Sequence, residues 1–131
     1  MRQLVYALAF ALLTVACGSD NAKKEERAGR VAREYYQQLI EGKYESFVCG
    51  MAGAEKADSA YRMLLIENAK MFMAQQKEEH AGGIAKVELS HTKVNDKRNA
   101  AEAYLILSYA DSTKEEIVVP MVEVDDLWYM K

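Results

Sequence analysis

The stretch AAEAYLILSYA, residues 100–110, decides the fold because apolar side chains recur at every second position. A period of two residues is typical of a β-strand, in which alternate side chains share one face. A strand with a continuous apolar face needs a second layer of structure to cover that face. The face predicted to be covered consists of Ala101, Ala103, Leu105, Leu107 and Tyr109.

Three more segments of strand character flank this one. Val87 and Leu89 alternate with charged residues in the segment before it, and Trp128 lies on the last, short segment, where we expect it to pack as an anchor. Short polar connections between consecutive strands predict an antiparallel meander. The additional strands are predicted over 84–94, 116–124 and 127–130, with turns at 95–99, 111–114 and 125–126.

Before Gly82-Gly83 the hydrophobic period is that of α-helices. One helix is predicted over 25–41 and ends at Gly42, a short second helix follows, and a third is predicted over 57–79. Helices followed by a meander imply an α+β domain, in which N-terminal helices pack on an antiparallel sheet of three long strands plus a short terminal strand. The inner stripe of the third helix is predicted to contain Ala57, Tyr61, Leu64, Leu65, Asn68 and Phe72.

The N-terminus predicts an export signal. Arg2 gives a positive start, and residues 4–16 carry no charge and are mostly apolar. This run is shorter than the roughly 20 residues of a membrane-spanning helix, but it suits the apolar region of a secretory signal peptide. The run ends in Val15-Ala16-Cys17, with small residues just before a cysteine.

That ending resembles the lipobox of bacterial lipoproteins, although Thr14 stands where leucine is preferred. The resemblance implies cleavage before Cys17 and attachment of acyl chains such as palmitate to that cysteine. Two or more acyl chains hold a protein stably on a lipid bilayer, whereas a single chain does so only marginally. The alternative is an ordinary signal peptide that is cut after Ala16 and leaves a free cysteine.

The lipoprotein interpretation divides the chain into a signal peptide (1–16), the lipidated Cys17 with a flexible tether (17–26), and a folded domain (27–131). The tether is predicted because residues 18–26 include no large apolar side chain. Gly18 rather than aspartate follows the cysteine, and by resemblance to lipoprotein sorting rules this favours the outer membrane. We therefore expect a lipid-anchored protein of the cell envelope. It could lie on either the periplasmic or the surface face of the outer membrane.

Composition excludes several classes of function. The 131 residues have a formal net charge of −3, which argues against nucleic-acid binding. Two cysteines exclude a four-thiolate metal site, and the spacing of His80 and His91 fits no ligand pattern, so no metal or cofactor is predicted. Cys49 is expected to be a buried structural cysteine, with a reactive thiol or an intermolecular disulfide as alternatives.

The order of elements resembles the NTF2-like (cystatin-like) superfamily, and within it a group of small lipoproteins of unknown function designated DUF4878. The segments that carry the resemblance are YYQQLIEGKY at 35–44, HAGGI at 80–84 and VDDLWYM at 124–130. Asp126 stands where the family usually has glycine before the terminal tryptophan. The resemblance implies a curved sheet wrapped around a helix as a cone with an internal cavity, and it implies no catalytic residue.

Candidate chemistry in such a cone is sparse. No catalytic residue is predicted, although Glu102 shares strand parity with Tyr104, as an acid–base pair of the ketosteroid-isomerase type would require. His91 shares parity with Val87 and Leu89 and is expected to point inward. If the third helix faces the second strand across a gap, that gap is a cavity with an apolar lining and a few tyrosine hydroxyls. The alternative is that the same side chains interdigitate at normal core density and leave no cavity. The candidate lining consists of Tyr61, Leu64, Leu65, Phe72, Leu105, Leu107 and Tyr109.

These observations predict a non-enzymatic binding or accessory role, with a small apolar ligand, a glycan or a partner protein as the bound species. An enzyme that uses a carboxylate and a tyrosine in the cone is the alternative. The lipid bilayer is the expected partner through acylated Cys17, and the resemblance implies that a homodimer could form through the sheet face.

Overall fold

The structure, a computed structural model, describes residues 19–131. The predicted signal peptide and the predicted lipidation site at Cys17 lie outside the described residues. Short 3₁₀ turns (Ala54–Lys56 and Asp96–Arg98) connect some of the main elements. The helices are α1 (Ser19–Ile40), α2 (Tyr44–Cys49) and α3 (Ser59–Glu79), and the strands are β1 (Ile84–Asn95), β2 (Ala100–Tyr109), β3 (Lys114–Val124) and β4 (Leu127–Met130).

The four strands form one antiparallel sheet in the order β1-β2-β3-β4. This confirms the predicted α+β class, with helices first and a meander after. Every residue of the predicted covered face of β2 is buried, from Ala101 to Tyr109 at alternate positions. The period of two therefore identified the inner face of the sheet correctly.

Helix α1 covers that inner face. Ala28 and Ala32 are 0% exposed, and among the strands the helix packs chiefly on β1 and then on β2. Between them, a Cβ at Gly29 would lie 2.8 Å from a methyl carbon of Leu89 and would also collide with the Thr92 hydroxyl. Glycine at position 29 therefore lets the helix backbone approach β1 more closely than any side chain would allow.

The ends of α1 differ in how well the sequence predicted them. The helix stops as expected at Gly42, where the Lys43 amide donates to the Gln38 carbonyl at 2.9 Å in the manner of a Schellman cap. It begins at Ser19, six residues before the predicted start, so residues 19–26 are helical where a flexible tether was predicted. Alanine, lysine, glutamate and arginine are strong helix formers, and the run AKKEER at 22–27 therefore favours helix in this stretch.

Helix α3 begins one residue after Asp58, whose carboxylate caps it by accepting from the Tyr61 amide at 2.8 Å. Its inner face is rotated relative to the predicted stripe. Ala69 and Met73 are buried, whereas Tyr61 and Leu64 are 54% and 55% exposed. The prediction failed because apolar residues occur nearly all round this helix, so periodicity alone does not fix which side faces inward.

Strand β1 contains two irregularities that shift its pairing with β2, one of them between Leu89 and His91. The extra residue, Ser90, reverses the alternation of side chains beyond it. Thr92 and Val94 consequently face the same side as Val87. His91 is exposed on the outer face, and the expectation that it points inward is wrong.

The β3–β4 turn consists of Asp125 and Asp126, with φ angles of 52° and 65°. Positive φ at both central residues defines a type I′ hairpin turn, whose twist matches that of the flanking strands. Trp128 follows the turn and is 3% exposed, which confirms its predicted packing role.

Asp126→Gly should stabilise the protein by about 1 kcal/mol, because glycine adopts the left-handed region without the cost that a Cβ imposes. The Arg27 guanidinium donates to the backbone oxygen of residue 126, so the substitution keeps this contact. Urea unfolding followed by circular dichroism measures the change. Asp126→Ala, which lacks the tolerance of aspartate for this region, should destabilise. Equal stabilities of all three proteins would contradict the turn assignment.

Candidate functional site

An apolar groove of about 280 Å³ lies where the three helices meet. Helix α1 supplies one wall, α2 the floor at its C-terminal side, and α3 the opposite wall. The groove is open at one side rather than enclosed within the sheet. Its lining consists of Tyr36, Leu39, Phe47, Met51, Leu65, Asn68, Ala69 and Phe72.

Tyr36 gives the groove its main polar group. Its ring packs edge-on against Phe47, with the ring centroids 5.4 Å apart and the planes at 88°. Burial raises the pKa of the Tyr36 phenol, so the hydroxyl stays protonated and able to donate. Within the part of the chain that the structure describes, this hydroxyl has no hydrogen-bond partner. The amide of Asn68, at the groove, offers a second polar contact.

The structure does not bring the seven predicted cavity residues together. Leu65 and Phe72 line the groove, and Tyr61 and Leu64 lie exposed on the flank of α3. The three β2 residues, Leu105, Leu107 and Tyr109, are buried in the core on the inner sheet face. The physical reason is that α1, not α3, packs across the centre of the sheet and fills the space predicted to hold the gap.

Six of the eight lining residues, among them Tyr36, Phe47 and Met51, were not among the residues that the sequence predicted to line a cavity. Tyr36 lies beside the apolar stripe of α1 and widens it, which was a usable signal for a contact outside the sheet. The convergence of α2 on this widened stripe is a tertiary feature that helical periodicity does not contain.

Glu102 and Tyr104, the suggested acid–base pair, lie on the outer face of the sheet. Glu102 is exposed and pairs in register with Lys93 and Pro120. The His91 ring stacks on Tyr104 at a centroid distance of 4.1 Å, and the Lys93 ammonium lies 5.4 Å from the same ring. Neither Glu102 nor Tyr104 is among the residues that line the groove.

A second polar cluster connects the C-terminus of α3 to the β2–β3 turn. His80 Nδ1 lies 2.9 Å from a carboxylate oxygen of Asp111 and 3.1 Å from the Thr113 hydroxyl. Asp111 also accepts from the Thr113 hydroxyl and, at 3.0 Å, from its backbone amide. The Thr113 bonds, and then His80, lower the pKa of Asp111 to about 2. The cluster therefore fastens the end of α3 to the turn through an ionised carboxylate.

Tyr109 extends this cluster toward the core. Its ring stacks on His80 with centroids 3.7 Å apart, and its hydroxyl donates to Glu115 at 2.6 Å. Burial, followed by the bond to Glu115, raises the pKa of the Tyr109 phenol. Tyr109 and Glu115 form a tyrosine–carboxylate pair in which the phenol keeps its proton and donates a hydrogen bond to the carboxylate. Neither residue lines the groove.

Cys49 is exposed, which corrects the prediction that it is buried. It is the last residue of the short helix α2, whose inner side is occupied by Phe47 and Val48. Among residues 19–131, no group of three or more histidine, cysteine, aspartate or glutamate side chains could hold a metal ion. Over the same range, no helix combines the length and hydropathy that crossing a membrane requires.

Comparison with solved structures identifies the class of fold. The chain is similar to a candidate NTF2-like transpeptidase from Campylobacter jejuni, whose crystal structure was determined at 2.00 Å resolution. The match has a TM-score of 0.61 and 13% sequence identity, and it covers 77% of this chain and 94% of the other. The fold of this protein is therefore NTF2-like.

Sequence comparisons add no closer assignment. No family model matches the chain, and no curated protein matches it. At 13% identity the similarity concerns the fold, and the transpeptidase description belongs to the Campylobacter protein.

Asp111→Asn should destabilise the protein at neutral pH, because the ionised carboxylate that fastens α3 is lost. Since the pKa of Asp111 is lowered from 3.8 to about 2, its stabilising effect is present above about pH 3.8 and disappears as the pH falls toward 2. Urea unfolding at several pH values should show the gap between variant and wild type closing over that interval. Glu116→Gln, on the same hairpin, serves as the control. A gap that is constant with pH would contradict the role of the charge.

Proposed function

We propose that this chain is a non-enzymatic binding protein of the cell envelope and that the groove between the three helices takes a small apolar ligand. The groove itself carries the proposal: it combines apolar walls from three elements with one partly buried phenol donor. Small-molecule sites generally have this character, with a mostly apolar surface and a few placed polar groups.

The size of the groove limits the ligand. Its volume of about 280 Å³ is slightly below the usual range for ligand pockets, roughly 300–1,000 Å³. A dry cavity of about 150 Å³ lined by leucine, isoleucine and phenylalanine binds benzene. The groove therefore suits a body of about two fused rings or a short acyl segment.

The chemistry of the lining supports binding over catalysis. The eight lining residues include no carboxylate, imidazole, amine or thiol, and the Tyr36 phenol is held in its neutral form. Acid–base catalysis requires a group positioned to take up a proton near working pH. A glycan would need many more hydrogen-bonding groups than one hydroxyl and one amide. Of the ligand classes expected from the sequence, the small apolar molecule fits best.

The location rests on the sequence alone. Residues 4–16 and the Val15-Ala16-Cys17 ending support export and acylation of Cys17. The described part of the chain starts two residues after Cys17, with α1. A helix that begins there would hold the domain at a defined distance from the bilayer and leave the groove accessible.

Ala69→Met should reduce binding of an apolar fluorescent probe, N-phenyl-1-naphthylamine, by about tenfold or more, because Ala69 lines the groove and the longer side chain fills it. Probe fluorescence titration measures the affinity. The matched control is Ala60→Met, which adds the same side chain at an exposed position of α3. Equal probe affinity in both variants would place the probe elsewhere and contradict the proposed site.

Tyr36→Phe separates the apolar and polar parts of the same site. Displacing the probe from the variant should require a concentration of 2-acetylnaphthalene about 2- to 10-fold higher than from wild type, because a hydrogen bond to the ligand carbonyl contributes roughly 0.5–1.5 kcal/mol. Displacement by naphthalene, which accepts no such bond, should be unchanged. Loss of both ligands would indicate a collapsed groove, which thermal unfolding of the variant would reveal.

Acylation of Cys17 is tested directly in a bacterial host. Wild-type chain should incorporate labelled palmitate and partition with membranes, and Cys17→Ala should do neither. Cys49→Ala is the matched control, since it removes the other cysteine of the chain and should leave labelling intact. Label that enters the Cys17→Ala protein as it enters wild type would overturn the lipoprotein assignment.

A further inference from the structure

A cationic depression of about 240 Å³ lies on the outer face of the sheet, separate from the helical groove. It is at the end of the sheet that carries the β1–β2 connection (96–99) and the β3–β4 turn (125–126), which we call the hairpin end. The Glu123 amide donates to the Asn99 carbonyl at 2.7 Å and ties the β1–β2 connection to the last part of β3. Ten residues line the depression: Lys93, Val94, Asn95, Arg98, Ala100, Ala101, Glu102, Pro120, Met121 and Lys131.

We propose that this depression binds a phosphate group. Three of its lining residues, Lys93, Arg98 and Lys131, are cationic, and one, Glu102, is anionic. Such an excess of positive charge is local, because the whole chain has a net charge of −3. Arginine presents a planar fork of donors that matches phosphate, and lysine adds a compact positive charge.

Local contacts position the residues that carry these cations. Arg98 ends the 3₁₀ turn Asp96–Arg98 and precedes Asn99, whose φ of 49° closes the connection to β2. The Lys131 amide donates to the Pro120 carbonyl at 2.9 Å, and Lys93 lies over the Tyr104 ring. Among residues 19–131, no ion pair to Lys93, Arg98 or Lys131 is formed. Their charges are therefore available to a ligand.

The floor of the depression leaves room for an anion. Ala100, which shares strand parity with Glu102, has a short side chain, and proline at position 120 contributes no amide hydrogen. The side-chain amide of Asn95 is a further donor at the rim. A short side chain below and donors around the edge leave an oxyanion both space and hydrogen-bond partners.

The course of α1 suggests one source of the phosphate. Arg27 donates to the Asp126 carbonyl at 2.8 Å, whereas Ile40 lies with Gly82 and Ile84 at the opposite end of the sheet. The helix therefore runs away from the hairpin end, and its first eight residues extend about 12 Å from Arg27. If Cys17 is acylated, as proposed above, the hairpin end is the end nearest the anchor. A phospholipid headgroup and a soluble phosphate compound offer the same chemistry to the depression.

The first experiment measures thermal unfolding of the full-length Cys17→Ser chain in sodium phosphate and in sodium chloride of the same ionic strength. Phosphate should raise the midpoint of this protein but not that of its K93Q/R98Q variant. A K77Q/K114Q variant removes two exposed lysines at the opposite end of the sheet and should respond like the parent. No phosphate effect on the parent, or an equal effect on K93Q/R98Q, would overturn the proposal.

The second experiment identifies the source with vesicles of phosphatidylcholine, with and without phosphatidylglycerol. A headgroup source predicts cosedimentation with the anionic vesicles that weakens with salt and falls about 25-fold in K93Q/R98Q, since each cation near an anionic membrane contributes about a factor of five. A phosphate effect on unfolding without vesicle binding would support the site and overturn the headgroup as its source. Because Cys17→Ser carries no acyl chain, both results are independent of whether Cys17 is lipidated.

Discussion

The close approach of α1 to β1 at Gly29 is the contact on which the rest of the architecture depends. A Cβ at this position would collide with Leu89 and Thr92, and the adjacent helix residues Ala28 and Ala32 are fully buried. On the sheet side, Ala101 and Ala103 are equally small and buried. Small residues on both surfaces let the helix lie directly on the strands at native packing density, so little space is left between the two layers.

Because α1 occupies the centre of the sheet, α3 has to pack elsewhere. It rests mainly on α2 and only lightly on the start of β1. Its packed side is consequently narrow, around Ala69 and Met73, and its apolar flank from Tyr61 to Met71 stays exposed. The groove is the space left between this displaced helix, α2 and the outer flank of α1. The candidate site therefore lies among the helices. The interior of the cone, where a cavity was expected, is filled with side chains.

The sequence predicted the buried face of an element well where one hydrophobic period specifies it. It predicted poorly those features that depend on how several elements pack against one another. The alternation in β2 specified its inner face because a one-residue shift would expose every apolar side chain. Helix α3 has apolar residues on most of its circumference, so its orientation follows from what it packs against. His91 was misplaced because the irregularity at Ser90 has no glycine or proline to mark it. Tyr36 was visible in the sequence, but its place in a groove depends on α2.

Helix α3 links the groove to the polar cluster at its C-terminus. Since α3 packs lightly on the sheet, its C-terminus is held largely by the contacts of His80 with Asp111, Thr113 and the Tyr109 ring. Phe72, in the groove wall, precedes His80 by eight residues, about two turns of helix. Restraint at the helix end therefore limits how far this wall can move. Segments with few buried contacts open at lower free energy than the core, so entry of the proposed ligand is expected to involve displacement of α3, while α1 and the sheet stay fixed.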